Sequence, residues 1–205
     1  MTEKKDILRP SLWTPRPVEE TIAVYTDWAD NYDADVTARG YRTPDRLAEA
    51  LADHISTKAE VLDFGCGTGI GGAALRRVGF ETIDGTDVTP EMLKKAAASG
   101  IYRQTWPSSP GELTFAKGAY EVIVAVGVVS LGAAPPETLA PLVAKLDPGG
   151  LLALSFNDPT LADQAYTDAL DTELTTRQAE VIFRDHGPHL DDVGMGSDVI
   201  ILRRL

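Results

Sequence analysis

Val61-Leu62-Asp63-Phe64-Gly65-Cys66-Gly67-Thr68-Gly69-Ile70-Gly71-Gly72 sets the fold of this chain. An apolar strand runs into glycines, and the glycines run into a helix. Glycine permits the tight turn and lets backbone approach a ligand that any Cβ would hold off. Free N–H groups of the helix's first turn then face that ligand. Gly85-Thr86-Asp87 ends the next apolar run, where an acid can accept both hydroxyls of a ribose.

Outward from this loop, strands and helices alternate. Glu60–Phe64 reads as a strand, Thr68–Val78 as a helix, and Phe80–Ile83 as a strand entering Asp84–Asp87. Thr89-Pro90-Glu91 caps a helix that ends near Gly100. Ile101–Trp106 reads as a third strand, Tyr120–Val126 as the strongest one, Pro135–Leu146 as a helix and Leu151–Phe156 as a strand. Strands apolar on both faces and separated by helices predict an α/β fold with a mostly parallel sheet. Asp158–Thr175 reads as one helix. Ala179–Arg184 and Val199–Arg203 read as an antiparallel pair joined by a Gly- and Asp-rich loop. Before the sheet, Pro17 opens a helical pattern through Val18, Ile22, Tyr25 and Trp28, and Thr43-Pro44-Asp45 caps a second helix. Residues 1–16 are polar, proline-broken and expected to be loosely held. The whole chain reads as one domain: a helical segment over residues 1–58 that closes over the ligand site, and a core over 59–205.

Two kinds of ligand compete for the glycine loop. Gly67-Thr68-Gly69-Ile70-Gly71-Gly72 satisfies G-x-G-x-x-G, and Asp87 lies 20 residues after Gly67, as in dinucleotide sites. Spacing alone does not decide. Asp63, at the strand end, suits a ligand with an α-ammonium group and sits badly beside a pyrophosphate. The loop also begins only after some sixty residues, and little chain remains for a separate hydride-transfer domain. These features favour a methyl donor over a nicotinamide dinucleotide. A dinucleotide oxidoreductase and a non-catalytic S-adenosylmethionine-binding protein remain the alternatives.

Val61–Gly69 resembles motif I of the class I S-adenosylmethionine-dependent methyltransferases. Asp87 resembles their acid at the end of the second strand, and Thr89–Leu93 the helix start that follows. Tyr25-Thr26-Asp27-Trp28-Ala29-Asp30-Asn31-Tyr32-Asp33 is similar to the Y-x-x-W-A-x-x-Y-D segment of many small-molecule methyltransferases. With Gly40-Tyr41-Arg42 it looks most like the methyltransferase-like 27 group. The resemblance implies a Rossmann-like sheet of seven strands in the order 3-2-1-4-5-7-6 with a reversed C-terminal hairpin. It implies that Asp63 meets the methionine ammonium of the cofactor, directly or through water. Gly65, Cys66, Gly67 and Gly69 would line the methionine portion by backbone, and Asp87 would hold the ribose. Val88 and Met92 would pack beside the adenine, Gly127 and Val128 would floor the sulfonium, and Tyr25 and Tyr32 would close over the donor. The strand ending in Val126-Gly127-Val128-Val129-Ser130 lacks the Asn/Asp-Pro-Pro-aromatic tetrad of nucleobase and glutamine N-methylation, so the expected acceptor is a small molecule.

Composition narrows the partners. A net charge of −12 over 205 residues repels phosphate backbones, so neither nucleic acid nor an anionic membrane surface is expected as a partner. No apolar run suits a membrane span, and no apolar stretch follows Met1–Asp6 that would read as a secretory signal. Cys66 is the only cysteine, which excludes an intrachain disulfide and fits a cytoplasmic setting. It reads as a small residue in a tight turn rather than a reactive thiol. His186-Gly-Pro-His189-Leu-Asp191-Asp192 has metal-ligand residue types at a spacing that matches no closed site; no metal is expected, and either histidine is a candidate base near the acceptor. The catalytic residues and the oligomeric state are left open.

Overall fold

The computed structural model describes residues 10–205. Five parallel strands form one side of a seven-stranded sheet: β1 (Glu60–Phe64), β2 (Thr82–Asp87), β3 (Thr105–Pro107), β4 (Val122–Ala125) and β5 (Leu151–Asn157). β6 (Ala179–Leu190) and β7 (Met195–Arg204) form the reversed hairpin, with β7 antiparallel to β5. The spatial order is β3-β2-β1-β4-β5-β7-β6, as the resemblance implies.

The strand pleat sorts the core into two layers. Val61, Ile83, Val124 and Ile201 meet Leu47 and Leu51 of α3 (Thr43–Ala52) and Leu75 of α4 (Ile70–Arg77). Leu62, Ile123, Leu152 and Leu202 meet Leu142 of α6 (Leu139–Lys145) and Leu170 of α8 (Gln164–Thr175) on the other face. α5 (Pro90–Ala98) follows β2, with Met92 and Leu93 buried. A third cluster lies under the N-terminal helices α1 (Val18–Trp28) and α2 (Tyr32–Ala38), where Trp28 packs with Val36 and Leu190. Among the described residues no helix is long and apolar enough to cross a membrane.

Several elements depart from the sequence expectation, each for a local reason. α2 is a separate helix that the pattern did not mark; only Val36 is buried on it, so there is no apolar stripe to read. Asp158–Thr175 is two helices, α7 (Asp158–Leu161) and α8, because Asn157 and Asp163 each cap a helix N-terminus. β3 keeps only Thr105 and Trp106 of the expected Ile101–Trp106 and adds Pro107. Thr43 is the first residue of α3 rather than its cap, and its hydroxyl bonds His189 and Ser197 instead. Most of the expected loop over Asp185–Met195 is strand: β6 continues through Gly187 and Pro188 to Leu190, and the turn is confined to Asp191–Gly194. β6 is an edge strand, where a proline removes no needed ladder bond. Pro10–Trp13 forms a 3-10 turn with Leu12 buried, so this part of the N-terminal stretch is held; residues 1–9 lie outside the described residues.

The hairpin tip fixes the N-terminal segment. Arg42 N donates to His189 O at 2.9 Å, Arg39 pairs with Asp192 and Arg42 with Asp191. These contacts set Tyr41 and His189 beside the C-terminal ends of β4 and β5.

Candidate functional site

The loop after β1 turns on Gly65, Gly67 and Gly69, all at positive φ, and Gly69 caps α4. Gly65 N and Cys66 N both donate to Thr86 O, which ties the loop to β2. A Cβ at Gly67 would meet nothing within 4 Å, so that backbone faces open space. A cavity of about 500 Å³ opens there, at the C-terminal ends of β1, β2 and β4. Its walls bring together Gly65, Gly67, Asp87, Val88 and Met92 with Gly127 and Val128, and Tyr25 and Tyr32 reach it from the N-terminal helices. Ser108, Glu112 and Leu113 and the stretch from Ala133 to Thr138 complete it. The sequence leaves the loop after β3, with Ser108, Glu112 and Leu113, unassigned because it has no periodicity to read; Ser130–Ala134 is expected beside the acceptor and Pro135–Leu146 as a helix, and here Ala133 and the 3-10 turn Pro136–Thr138 lie at the larger cavity.

Asp87 sits at the cavity wall with both carboxylate oxygens engaged. Oδ2 accepts from Gly67 N at 2.9 Å and Oδ1 from Thr89 N at 2.7 Å. An ionised carboxylate has about four acceptor positions, more than these two bonds fill. Burial raises its pKa, and the backbone donors oppose that.

Asp63, Cys66 and Gly69 do not line this cavity. Asp63 is fully buried beneath the loop, where Oδ2 accepts from Tyr102 Oη at 2.7 Å and Oδ1 has no hydrogen-bond partner among the described residues. Burial lifts its pKa to about 7, against the lowering effect of the Tyr102 hydrogen bond. Tyr102 was not foreseen. Its ring fills the space that Gly69, Gly72 and Gly85 leave open: a Cβ at Gly72 would lie within 2.6 Å of Tyr102 Cζ. Cys66 is buried and its thiol pKa is raised, chiefly by that burial, so it stays protonated.

A smaller cavity of about 50 Å³ shares Tyr25, Tyr32 and Gly127 with the larger one. Trp28, Tyr41 and Leu190 give it an aromatic and apolar wall; Ser130, Asn157 and His189 add polar groups to the tyrosine hydroxyls. His189 is 7% exposed, and its pKa is lowered to about 4, first by burial. His186 lies in neither cavity; its Nδ1 is 2.8 Å from Asp198 Oδ1 on the outer surface of the hairpin.

The sequence profile of the family described as "Methyltransferase domain" matches residues 34–191. The chain belongs to that family. The match agrees with motif I and with the methyl-donor reading of the glycine loop. Human methyltransferase-like protein 27 is 32% identical over 160 residues, covering 76% of this chain and 64% of that protein. A ribosomal protein L11 methyltransferase of Dechloromonas aromatica is 34% identical over 108 residues, covering 52% of this chain and 35% of that protein. The chain thus spans between about a third and two thirds of the curated relatives it matches. Two solved structures share the fold. The [4+2]-cyclase SpnF has a TM-score of 0.67 at 16% identity over 93% of this chain and 98% of its own. Magnesium protoporphyrin IX methyltransferase of Synechocystis, solved with bound S-adenosylhomocysteine, has 0.65 at 16% over 90% and 100%.

Proposed function

We propose that this chain transfers a methyl group from S-adenosylmethionine to a small acceptor, with the donor in the 500 Å³ cavity and the acceptor in the smaller one. One observation carries the reading. The motif I backbone and Asp87 face a cavity that meets a second, narrow one at Gly127, Tyr25 and Tyr32. The residues fit the donor. Gly67 leaves its space open, Asp87 stands at the cavity wall as an acceptor, and Asp63 has a carboxylate oxygen unpaired among the described residues beneath the loop.

S-adenosylmethionine supplies a sulfonium methyl that is already a strong electrophile. The protein then has to align the acceptor and exclude water. Gly65 and Gly67 offer backbone to the amino-acid end, and Cys66 and Gly69 hold the turn that shapes it. Asp63 contributes negative charge from below the loop. Asp87 takes the ribose hydroxyls, Val88 and Met92 pack the adenine, and Gly127 and Val128 form the floor at the junction. Tyr25 and Tyr32, carried by the N-terminal helical segment, cover that junction with aromatic faces that favour a cation.

The narrow second cavity supports a small acceptor over a protein chain such as the one the L11 methyltransferases are named for. The net charge of −12 counts against nucleic acid. The single buried thiol accords with a cytoplasmic setting.

Calorimetric titration with S-adenosylmethionine, S-adenosylhomocysteine and NAD, repeated on Asp87→Ala, tests the donor site. Saturable binding of the adenosyl ligands, weakened in the variant and absent for NAD, is the expected result. Binding of NAD alone overturns the reading in favour of an oxidoreductase.

A further inference from the structure

Two neutral side chains face the smaller cavity with a polar end free. Asn157 ends β5 and caps α7: its Oδ1 accepts from Thr160 N at 3.1 Å and from Thr160 Oγ1 at 2.7 Å. Its amide NH₂ is therefore the end left over: among the described residues the hydrogen bonds of this side chain all go to Oδ1, and the residue lines the cavity.

His189 is the second. Its Nδ1 lies 2.8 Å from Thr43 Oγ1, which lies 2.8 Å from Ser197 Oγ, which accepts from Arg46 Nη1 at 3.2 Å. This chain has a direction. Arginine only donates. Ser197 is fully buried, and among the described residues Thr43 is the one acceptor for its hydroxyl proton. Leaving that proton unpaired is costly. Ser197 therefore donates to Thr43, Thr43 donates to His189 Nδ1, and the neutral ring carries its own proton on Nε2. The ring that lines the cavity offers it a donor, not a base.

The cavity thus presents N–H donors from two residues inside an aromatic wall that carries no charged side chain. An ammonium would be drawn to the aromatic faces, but it would bring only donors to the two N–H groups and leave both unpaired, with no carboxylate to meet it. A carboxylate or carbonyl oxygen would complete both unpaired groups. The volume of about 50 Å³ suits such a head group; an apolar cavity of roughly 150 Å³ is what a benzene ring needs.

We propose that Asn157 and His189 form an anchoring site for an sp² oxygen of the methyl acceptor, so that the acceptor is a small carboxylate or carbonyl compound and not an amine. The inference rests on the reading that this cavity is the acceptor site of a methyltransferase. Both residues are positioning residues: they orient the acceptor beside Gly127, and the methylated atom is a separate matter.

The test is NMR titration of the protein, saturated with S-adenosylhomocysteine, with acetate, acetamide and methylamine. The expected result is saturable shifts of the Asn157 side-chain amide and His189 Nε2 resonances with acetate or acetamide, and none with methylamine. Asn157→Asp keeps the oxygen that caps Thr160 and replaces the donor by a carboxylate, so it weakens acetate binding by about tenfold or more. His189→Leu does the same, and His189→Gln, which restores an N–H donor, recovers part of the loss. Affinity for S-adenosylhomocysteine stays within about twofold in all three, by the same estimate for groups that touch only the acceptor. Methylamine shifting these resonances, or acetate binding unchanged in Asn157→Asp, overturns the proposal. Loss of S-adenosylhomocysteine binding in the variants also overturns it, by assigning the site to the donor. Failure of the wild-type protein to bind S-adenosylhomocysteine counts against the methyltransferase reading instead, and the acetate titration of the free protein still reads the anchoring site.

Discussion

The hydroxyl of Tyr102, itself partly buried, donates at 2.7 Å to Oδ2 of the fully buried Asp63, beneath the glycine loop. The two residues are 39 apart in sequence, and the parallel pairing of β1 with β2, and of β2 with β3, brings them together. The motif I acid is thus held from below by an aromatic side chain, and its Oδ1 has no hydrogen-bond partner among the described residues.

Tyr102→Phe removes that bond and leaves a buried carboxylate with less support. The expected cost is about 1–2 kcal/mol, since the acid can escape a larger penalty by taking up a proton. Urea unfolding measures it. An unchanged midpoint would mean that the hydrogen bond contributes nothing.

Gly72→Ala tests the same contact from the other side. The added Cβ would lie 2.6 Å from Tyr102 Cζ, closer than packed carbons approach. Gly72 is in α4, where alanine is otherwise the better helix former. The expected result is destabilisation of about 1–3 kcal/mol in the wild-type background. In a Tyr102→Ala background the sign reverses, to a gain of up to about 1 kcal/mol. A double-mutant cycle read by thermal unfolding gives the coupling; additive effects would show that Tyr102 is not what keeps residue 72 a glycine.

Much of this was legible in the chain, and the reason differs from residue to residue. Val61–Phe64 and Val122–Ala125 are buried on both faces, so their apolar runs mark strands by themselves. Asp87 and the loop glycines are visible because a tight strand-to-helix turn, with Gly67 N bonded to Asp87, calls for these residue types at fixed spacing. Tyr102 carries no such mark: a tyrosine between a helix and a short strand is ordinary, and only the finished sheet places it against Asp63. Gly187 and Pro188 suggested a loop because the argument from turn residues ignores whether a strand lies at an edge. The extension of β6 through them is what delivers His189 to Thr43.

Asp84 shows a different kind of acid, three residues before Asp87 on β2. It is fully buried and accepts from Arg103 at 2.6 Å and 2.9 Å, from Gln104 Nε2 at 2.9 Å and from Tyr120 Oη at 2.7 Å. Burial pushes its pKa up, but these donors outweigh that and hold it below the usual carboxylate range. Asp84→Ala leaves Tyr120 and Gln104 without their acceptor, while the half-exposed Arg103 can turn to water. A loss of about 2–3 kcal/mol of stability is expected, with S-adenosylhomocysteine affinity retained. Calorimetric titration alongside urea unfolding separates the two. Lost affinity in a folded variant would make Asp84 part of the donor site.

Asp63 gives a pH dependence whose sign is fixed by its surroundings. Its folded pKa of about 7 lies above the ordinary 3.8, because burial penalises the charged form. Such a group stabilises the fold fully below the unfolded value, and that contribution is lost as pH rises through about 7. Ionised Asp63 therefore costs the ligand-free protein on the order of 4 kcal/mol above neutrality. His189 acts in the opposite sense: depressed to about 4, it stabilises the fold above its ordinary 6.5, and this is lost as pH falls through 4. The two partly cancel in wild-type unfolding curves between pH 4 and 7, so the informative quantity is a difference. Asp63→Asn, which mimics the protonated acid, should match the wild type at the acid end and become more stable by a few kcal/mol above pH 7. The same variant should bind S-adenosylhomocysteine more weakly, and with no pH dependence between about 5.5 and 7.5, where the wild type gains up to roughly tenfold in affinity per pH unit. Equal pH profiles for the two proteins, in stability and in binding, would show that the charge beneath the loop is absent at neutral pH and takes no part in holding the donor.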